Sequence, residues 1–345
     1  MEEIRARRKF PSRSRPAPLV SHTAKLPLEG RQGGDLRQGL VIRFARRPFG
    51  TVHRTARRET RVTLQTRRLT HKFGAEILGL DLSRPQDDAT IAAIWKLWNE
   101  QGLVLIRNQH ITPEQLIAFS AGFGALDRHP NLAPFRHPQY DEIYMVSTIP
   151  SGGKPSPSEK LGRHWHSDLS YTLYPAMGSL FHCQVCPEVG GDTIFASITA
   201  AYDDLSDAMK EMIDPLWCEH DYMAISGGRH LSPEVAAQMK KLNPPVAQPL
   251  VRTHPVTGRK ALYIASRVIT HIIGMTPEES RPLIDYLVRH TIDPLYTYRH
   301  KWSKHELVMW DNRSLVHSAL ADFDAGTPRK FFRTTVLGEQ SGHLA

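Results

Sequence analysis

Three cysteines in 345 residues are too few for a disulfide framework, so the sequence does not describe a small scaffold held by bridges. No apolar run approaches the roughly 20 residues that a membrane-spanning helix needs. No n-region and h-region pattern opens the chain either, so neither an anchor nor a secretory signal is expected. Aromatic residues are 8% and charged residues 23% of the chain, which excludes collagen-like, coiled-coil and wholly disordered classes. The 40% hydrophobic content is enough for a sizeable core without staples.

Acidic residues are scarce in one place only. Residues 1–68 carry 18 Lys+Arg against 5 Asp+Glu, whereas the remaining residues carry 26 against 30. The net charge of +9 therefore belongs to a leader, and the body is mildly acidic. A nucleic-acid groove needs a basic face on a domain, so no nucleic-acid partner is expected, and no membrane partner either. The leader is rich in Pro, Ser and Arg over 12–18 and in Gly over 30–39, with no sustained apolar period, and is expected to be disordered. Its composition resembles a transit peptide, although Glu2 and Glu3 spoil that signal. An over-extended start is the reading preferred, and since no Met lies between Met1 and Met145 a later start would use a different codon. The expected location is cytoplasmic, or mitochondrial if the leader is a genuine transit peptide.

A single domain is expected over 69–345. Ala75 to Leu82 reads as a strand approaching a helix. Ile91, Ile94, Trp95 and Trp98 share one helical face, with Gly102 placed to end the helix. Leu103 to Ile106 reads as a buried strand. Thr112-Pro113-Glu114-Gln115 and Thr276-Pro277-Glu278-Glu279 both read as capping boxes with Pro at the first helical position. Pro282 is expected to delay the second helix, with Ser280 as its N-cap. From Met145 onward, short β-like runs dominate: 178–185, 193–196, 261–265, 296–302, 307–310 and 331–337, with a hairpin at 256–259. The expected fold is mainly β with flanking helices, a jelly-roll or barrel.

The chemistry-bearing residues sit in these runs. His166 and Asp168 are separated by one residue, so an extended backbone turns both to one face, where they can converge on one ion. Taken alone this signal is weak, because about two such triplets are expected by chance in this composition. Context comes from the C-terminal strands, where Trp310-Asp311-Asn312-Arg313 precedes His317, and Arg329 and Arg333 follow at even spacing. Two inward guanidiniums are costly to bury unless they receive anions. A metal centre beside two anion-binding positions is the expectation.

W-H-S-D at 165–168, G-G-D-T at 190–193, W-D-N-R-x-x-x-H at 310–317 and R-x-x-x-R-x-T at 329–335 together resemble the taurine/2,4-dichlorophenoxyacetate dioxygenase family (TauD/TfdA). The front of the domain agrees, in GAEILGLDLSRP, ITPEQLIAFSAGFG and His129-Pro130. The resemblance spans about Leu69 to Glu339 and implies a double-stranded β-helix, cupin-like core. It also implies an Fe(II)- and 2-oxoglutarate-dependent dioxygenase that hydroxylates a small anionic organic substrate with O2, releasing succinate and CO2. By resemblance, His166, Asp168 and His317 are the metal ligands. Thr193 and Arg329 would grip the distal carboxylate of 2-oxoglutarate, and Arg333 with His129 would face the substrate. A homodimer or homotetramer is implied as well.

Substrate cues point two ways. Gly162 and Leu132 stand where taurine enzymes carry Asn and Tyr, and PLVRTHPVTGRKALYI (249–264) looks like the aryloxyalkanoate branch, whereas His129 favours a sulfonate-like anion. The reading taken is a taurine- or alkylsulfonate-like substrate, with an aryloxyalkanoate (2,4-D-like) as the alternative. In a different class stands a non-catalytic metal-binding jelly-roll sensor, against which the two arginines argue. A zinc hydrolase lacks a further Glu or His placed as base. Cys183 and Cys186 are expected on opposite faces of a strand as buried free thiols. The segment 147–162 is a candidate lid.

Overall fold

The computed structural model describes residues 62–128, 135–150, 162–225, 232–265, 267–324 and 326–345. Strands β1 (Thr66–Arg68) and β2 (Ala75–Ile77) come first, then α1 (Asp88–Gln101), β3 (Leu103–Ile106), α2 (Pro113–Ala121) and β4 (Tyr144–Ser147). The long β5 (Ala176–Val185) and β6 (Thr193–Ser197) precede α3 (Ile198–Asp203), α4 (Asp207–Ile213), β7 (Trp217–His220), α5 (Tyr222–Ile225) and α6 (Pro233–Leu242). The chain continues through β8 (Val246–Pro249), β9 (Val251–Thr253), β10 (Lys260–Leu262), β11 (Ile269–Ile272) and α7 (Pro277–Thr291). It finishes with β12 (Thr297–His300), β13 (Leu307–Asp311), β14 (Leu315–Ala319), β15 (Lys330–Leu337) and β16 (His343–Leu344). Most of the expected leader, residues 1–61, lies outside the described residues, as do residues 151–161 of the candidate lid. The sheet takes up the chain slightly before Leu69, because β1 pairs antiparallel with β2.

Alternation along the strands builds the layers. A seven-stranded sheet runs β1-β2-β3-β13-β5-β15-β4 and a three-stranded sheet runs β12-β6-β14. On β13, Leu307 and Met309 face a cluster with Trp98 of α1 and Leu116 of α2, while Val308 and Trp310 face the opposite way. That second face meets Phe195 of β6 and Leu315 of β14, so the two sheets close on one another. The next residues along those strands, Ala196 and Val316, turn outward to a third cluster with Ile284 and Leu287 of α7. Helix, sheet, sheet and helix are thus stacked as the period of two dictates. The result is the expected jelly-roll core. Gly178 of β5 is required by this stacking, since a Cβ there would lie 2.3 Å from the Trp98 ring.

Helix ends follow the sequence. Both capping boxes form in full, at Thr112 with Gln115 and at Thr276 with Glu279. Gly102 ends α1 at φ 69°, its N–H returning to the Trp98 carbonyl. Pro282 corrects the expectation at α7: the helix starts at Pro277 and carries Pro282 inside it. Ser280 is no cap. Its Oγ donates to the Thr276 carbonyl and accepts from Ile272 N–H, which ties the first turns to β11 and holds them despite the donor that proline lacks. Among the described residues, no helix is long and apolar enough to cross a membrane.

Candidate metal centre and its cavity

His317 lies in β14, and the segment holding His166 lies beside it as an isolated antiparallel bridge. His166 N–H donates to the His317 carbonyl at 3.0 Å, and His317 N–H donates back at 2.9 Å. Directly opposed residues share a face, so this register sets the two imidazoles side by side, with ring centroids 4.2 Å apart. Asp168, two residues on, returns to that face. One donor atom from each of His166, Asp168 and His317 lies within 4.8 Å of the others.

The surroundings fix the protonation of Asp168 and His317. The Asp168 carboxylate is buried, which works against its charge, but Arg333, the two imidazoles and Ser179 hold it below the usual carboxylate range. Arg333 Nη1 donates to Oδ1 at 2.9 Å, and Ser179 Oγ donates to Oδ2 at 2.7 Å. Burial, reinforced by the neighbouring His166, keeps His317 well below the ordinary histidine value. His317 is therefore an uncharged electron-pair donor, as a metal ligand must be. Its Nδ1 is buried with no hydrogen-bond partner among the described residues. On His166, Nδ1 lies 2.7 Å from the His164 carbonyl, which leaves Nε2 for the shared position. One carboxylate and two imidazoles, that of His317 uncharged, fit a divalent first-row ion with open positions.

The trio opens into a cavity of about 190 Å³. Thr193, Arg329 and Arg333 line the same cavity, so six of the seven expected site residues come together, while His129 lies outside the described residues. Thr193 Oγ1 accepts from Trp302 Nε1 at 3.0 Å. Arg329 is buried over the Phe331 ring at 4.3 Å, and its Nε donates to the Gly191 carbonyl. Burial brings its guanidinium down to about 10, so it remains a cation at neutral pH. It forms no carboxylate ion pair among the described residues. The GGD turn before Thr193 needs its glycines: Gly190 has φ 77°, and a Cβ there would lie 2.1 Å from the Asp322 carbonyl oxygen. Arg333 stacks on Tyr144 at 4.3 Å, and its Nε has no partner among the described residues.

Three supporting residues had no assigned role in the sequence. Asn312 Oδ1 accepts from Asp168 N–H and from Trp310 Nε1, and its Nδ2 donates to Ser179 Oγ. Asn312 falls within the W-D-N-R motif, where it could have been noticed. Ser179 and Trp302 are supplied by β5 and by the turn before β13, with no local signal to mark them. The remaining motif residues have another task. Asp311 accepts from Arg313 and from His254 in a closed buried network behind the cavity.

The family model for taurine catabolism dioxygenase TauD, TfdA family, matches residues 65–335. An alpha-ketoglutarate-dependent 2,4-dichlorophenoxyacetate dioxygenase of Burkholderia sp. (strain RASC) is 32% identical over 278 residues, 78% of this chain and 92% of its own. An alpha-ketoglutarate-dependent sulfonate dioxygenase of Saccharomyces cerevisiae is 30% identical, covering 80% of this chain and 68% of its own. Among solved structures, AAD-2 in complex with Mn(II) and N-oxalylglycine superposes with a TM-score of 0.71 at 33% identity, over 80% of this chain and 99% of that one. The motifs, the jelly-roll and the His-Asp-His cluster agree with these likenesses: the chain belongs to the taurine catabolism dioxygenase TauD, TfdA family, alpha-ketoglutarate-dependent dioxygenases that use Fe(II), 2-oxoglutarate and O2.

Proposed function

We propose that this enzyme hydroxylates a small organic anion with an apolar, aryl-sized body, an aryloxyalkanoate ahead of taurine, at a centre held by His166, Asp168 and His317. Bound Fe(II) supplies the redox chemistry that couples O2 and the decarboxylation of 2-oxoglutarate to succinate and CO2 with insertion of one oxygen into a substrate C–H bond. The protein's own residues bind, orient and exclude water. Arg329 and Thr193 hold the distal carboxylate of 2-oxoglutarate, since a buried guanidinium without an acid partner gains most from a bidentate carboxylate. Arg333, held on Tyr144, exchanges part of its bond to Asp168 for the substrate's anionic head. The aromatic walls then take the body.

One observation carries the substrate reading. Asp168 is the only carboxylate lining the cavity among the described residues, and Arg333 already pairs with it. A zwitterion such as taurine brings an ammonium that would find no acid there. The rings of Phe135, Tyr171, Phe181 and Tyr222 offer apolar contact instead. An alkylsulfonate without an amine meets the same requirements and is the second reading. Succinate release with a phenoxyacetate, a phenoxypropionate, an alkylsulfonate, an alkyl sulfate and taurine is the test. The amine-free anions are expected to give the higher kcat/KM, and taurine as the best substrate would overturn the reading.

A further inference from the structure

Cys183 and Cys186 stand three apart at the end of β5, where regular alternation would turn them to opposite faces. The register departs from that alternation. Lys330 pairs with Val185, and the next residue, Phe331, pairs with Cys183, so Gln184 is an extra residue in β5. A bulge of this kind resets which face each later residue presents. Both thiols accordingly join one apolar cluster with Trp302 and Phe331. Cys183 is buried and Cys186 is partly exposed, while Cys218, also buried, belongs to a different cluster.

The pair sits directly behind the anion clamp. Cys186 Sγ donates to the Trp302 carbonyl at 3.7 Å, and Trp302 Nε1 donates to Thr193 Oγ1 at 3.0 Å. The Trp302 ring meets the Phe331 ring at 4.6 Å, and Arg329 stacks over Phe331. A change in the thiol pair therefore reaches Thr193 through Trp302, and Arg329 through Trp302 and Phe331.

We propose that Cys183 and Cys186 close to a reversible disulfide under hydrogen peroxide, and that this bridge weakens the hold of Thr193 and Arg329 on 2-oxoglutarate. The second half rests on the clamp roles proposed above for those two residues. The more exposed Cys186 reacts first, because burial pushes the Cys183 thiol up and suppresses its thiolate. Peroxide transfers one oxygen to the Cys186 sulfur, its O–O bond breaks, and water leaves. Cys183 sulfur then attacks that sulfenic acid, forming the S–S bond and expelling hydroxide, which takes the Cys183 proton as water. Two thiols and one peroxide thus yield one disulfide and two waters. The bridge draws Cys186 Sγ away from the Trp302 carbonyl and disturbs the indole that Thr193 accepts from.

The test uses the full chain, reduced and metal-free, treated with hydrogen peroxide, alkylated and mapped by peptide mass. The peptide carrying both cysteines should lose two hydrogens and resist alkylation until dithiothreitol restores it. In Mn(II)-loaded protein, the 2-oxoglutarate dissociation constant measured by calorimetry should then rise about tenfold, the scale of one weakened charge-assisted bond. Cys186→Ser should hold the same affinity before and after peroxide. Separate oxidation of the two sulfurs without a bridge overturns the proposal, and so does a bridge that leaves 2-oxoglutarate affinity unchanged. Reduced protein that binds no 2-oxoglutarate overturns the clamp reading and the second half with it, while the mass map still decides the bridge.

Discussion

Two buried charged clusters lie close together in sequence and behave in opposite ways. Around Asp311 every group is answered. Arg313 donates its backbone N–H and Nε to Oδ1 and its Nη2 to Oδ2, while Asn99 accepts a further Nη2 bond. His254 completes the set: the backbone N–H groups of Val256 and Thr257 donate to its Nδ1, so Nε2 carries the proton that Asp311 accepts. Burial opposes ionisation of Asp311, yet Arg313 and His254 bring it down to about 2. The cavity cluster is left open, with His317 Nδ1 and Arg333 Nε buried without partners and Arg329 without an acid among the described residues. Buried charge that is fully paired holds a fold together, whereas buried charge with donors to spare is arranged for something that arrives later.

That contrast is broken first at the open cluster. His317→Ala removes one of the donors proposed for the metal without disturbing a paired network. Loss of a supporting residue alone typically costs 10- to 100-fold in metal affinity, so removing a ligand should exceed about 100-fold and end succinate release. Urea unfolding of the metal-free variant should stay near the parent's. Full metal affinity in His317→Ala would remove this residue from the centre. Asp311→Asn should do the reverse, lowering unfolding stability by about 3–5 kcal/mol because Arg313 is left buried beside an uncharged amide. A midpoint within about 1 kcal/mol of the parent would show that the network is not the structural one.

Arg329→Ala sharpens the comparison at intermediate size. It should raise the 2-oxoglutarate requirement in steady-state kinetics by about 10- to 100-fold, the loss of a charge-assisted bond of about 1.5–3 kcal/mol. Stability should hold or rise, since an unpaired buried cation is removed. An unchanged cosubstrate requirement would return Arg329 to the closed class.

What the sequence disclosed divides along the same line. His166 with Asp168, and Arg329 with Arg333, were legible because spacing on an extended backbone sets which way neighbouring side chains point. The capping boxes at Thr112 and Thr276 were legible for the same local reason. The structural role of Asp311 was hidden, because its partner His254 is 57 residues away. The pairing of Arg333 with Asp168 spans 165 residues and depends on the register between β15 and β5. The facing of Cys183 and Cys186 was misjudged because a bulge belongs to a pair of strands and leaves no mark on either one alone. Alternation within one strand could not reveal it.

The smallest effect probes a third kind of buried group, one that is neither paired nor open to the cavity. His220 of β7 is buried with no partner for either nitrogen among the described residues and stacks on Tyr263 at 5.7 Å. Burial alone lowers its pKa from the ordinary histidine value of 6.5 to about 3. A histidine depressed in the folded state binds its proton more readily when unfolded. Its contribution is therefore intact above pH 6.5 and is lost as the pH falls from there toward 3. Between pH 7 and pH 5 the loss should be about 2 kcal/mol. His220→Phe keeps a ring against Tyr263 and cannot titrate, so urea stability at pH 7 should match the parent's within about 1 kcal/mol. At pH 5 the variant should be the more stable protein, and since every other histidine titrates in both, the difference isolates this one. Parallel stability profiles for parent and variant across that range would mean that His220 is solvated in solution and belongs with the ordinary histidines.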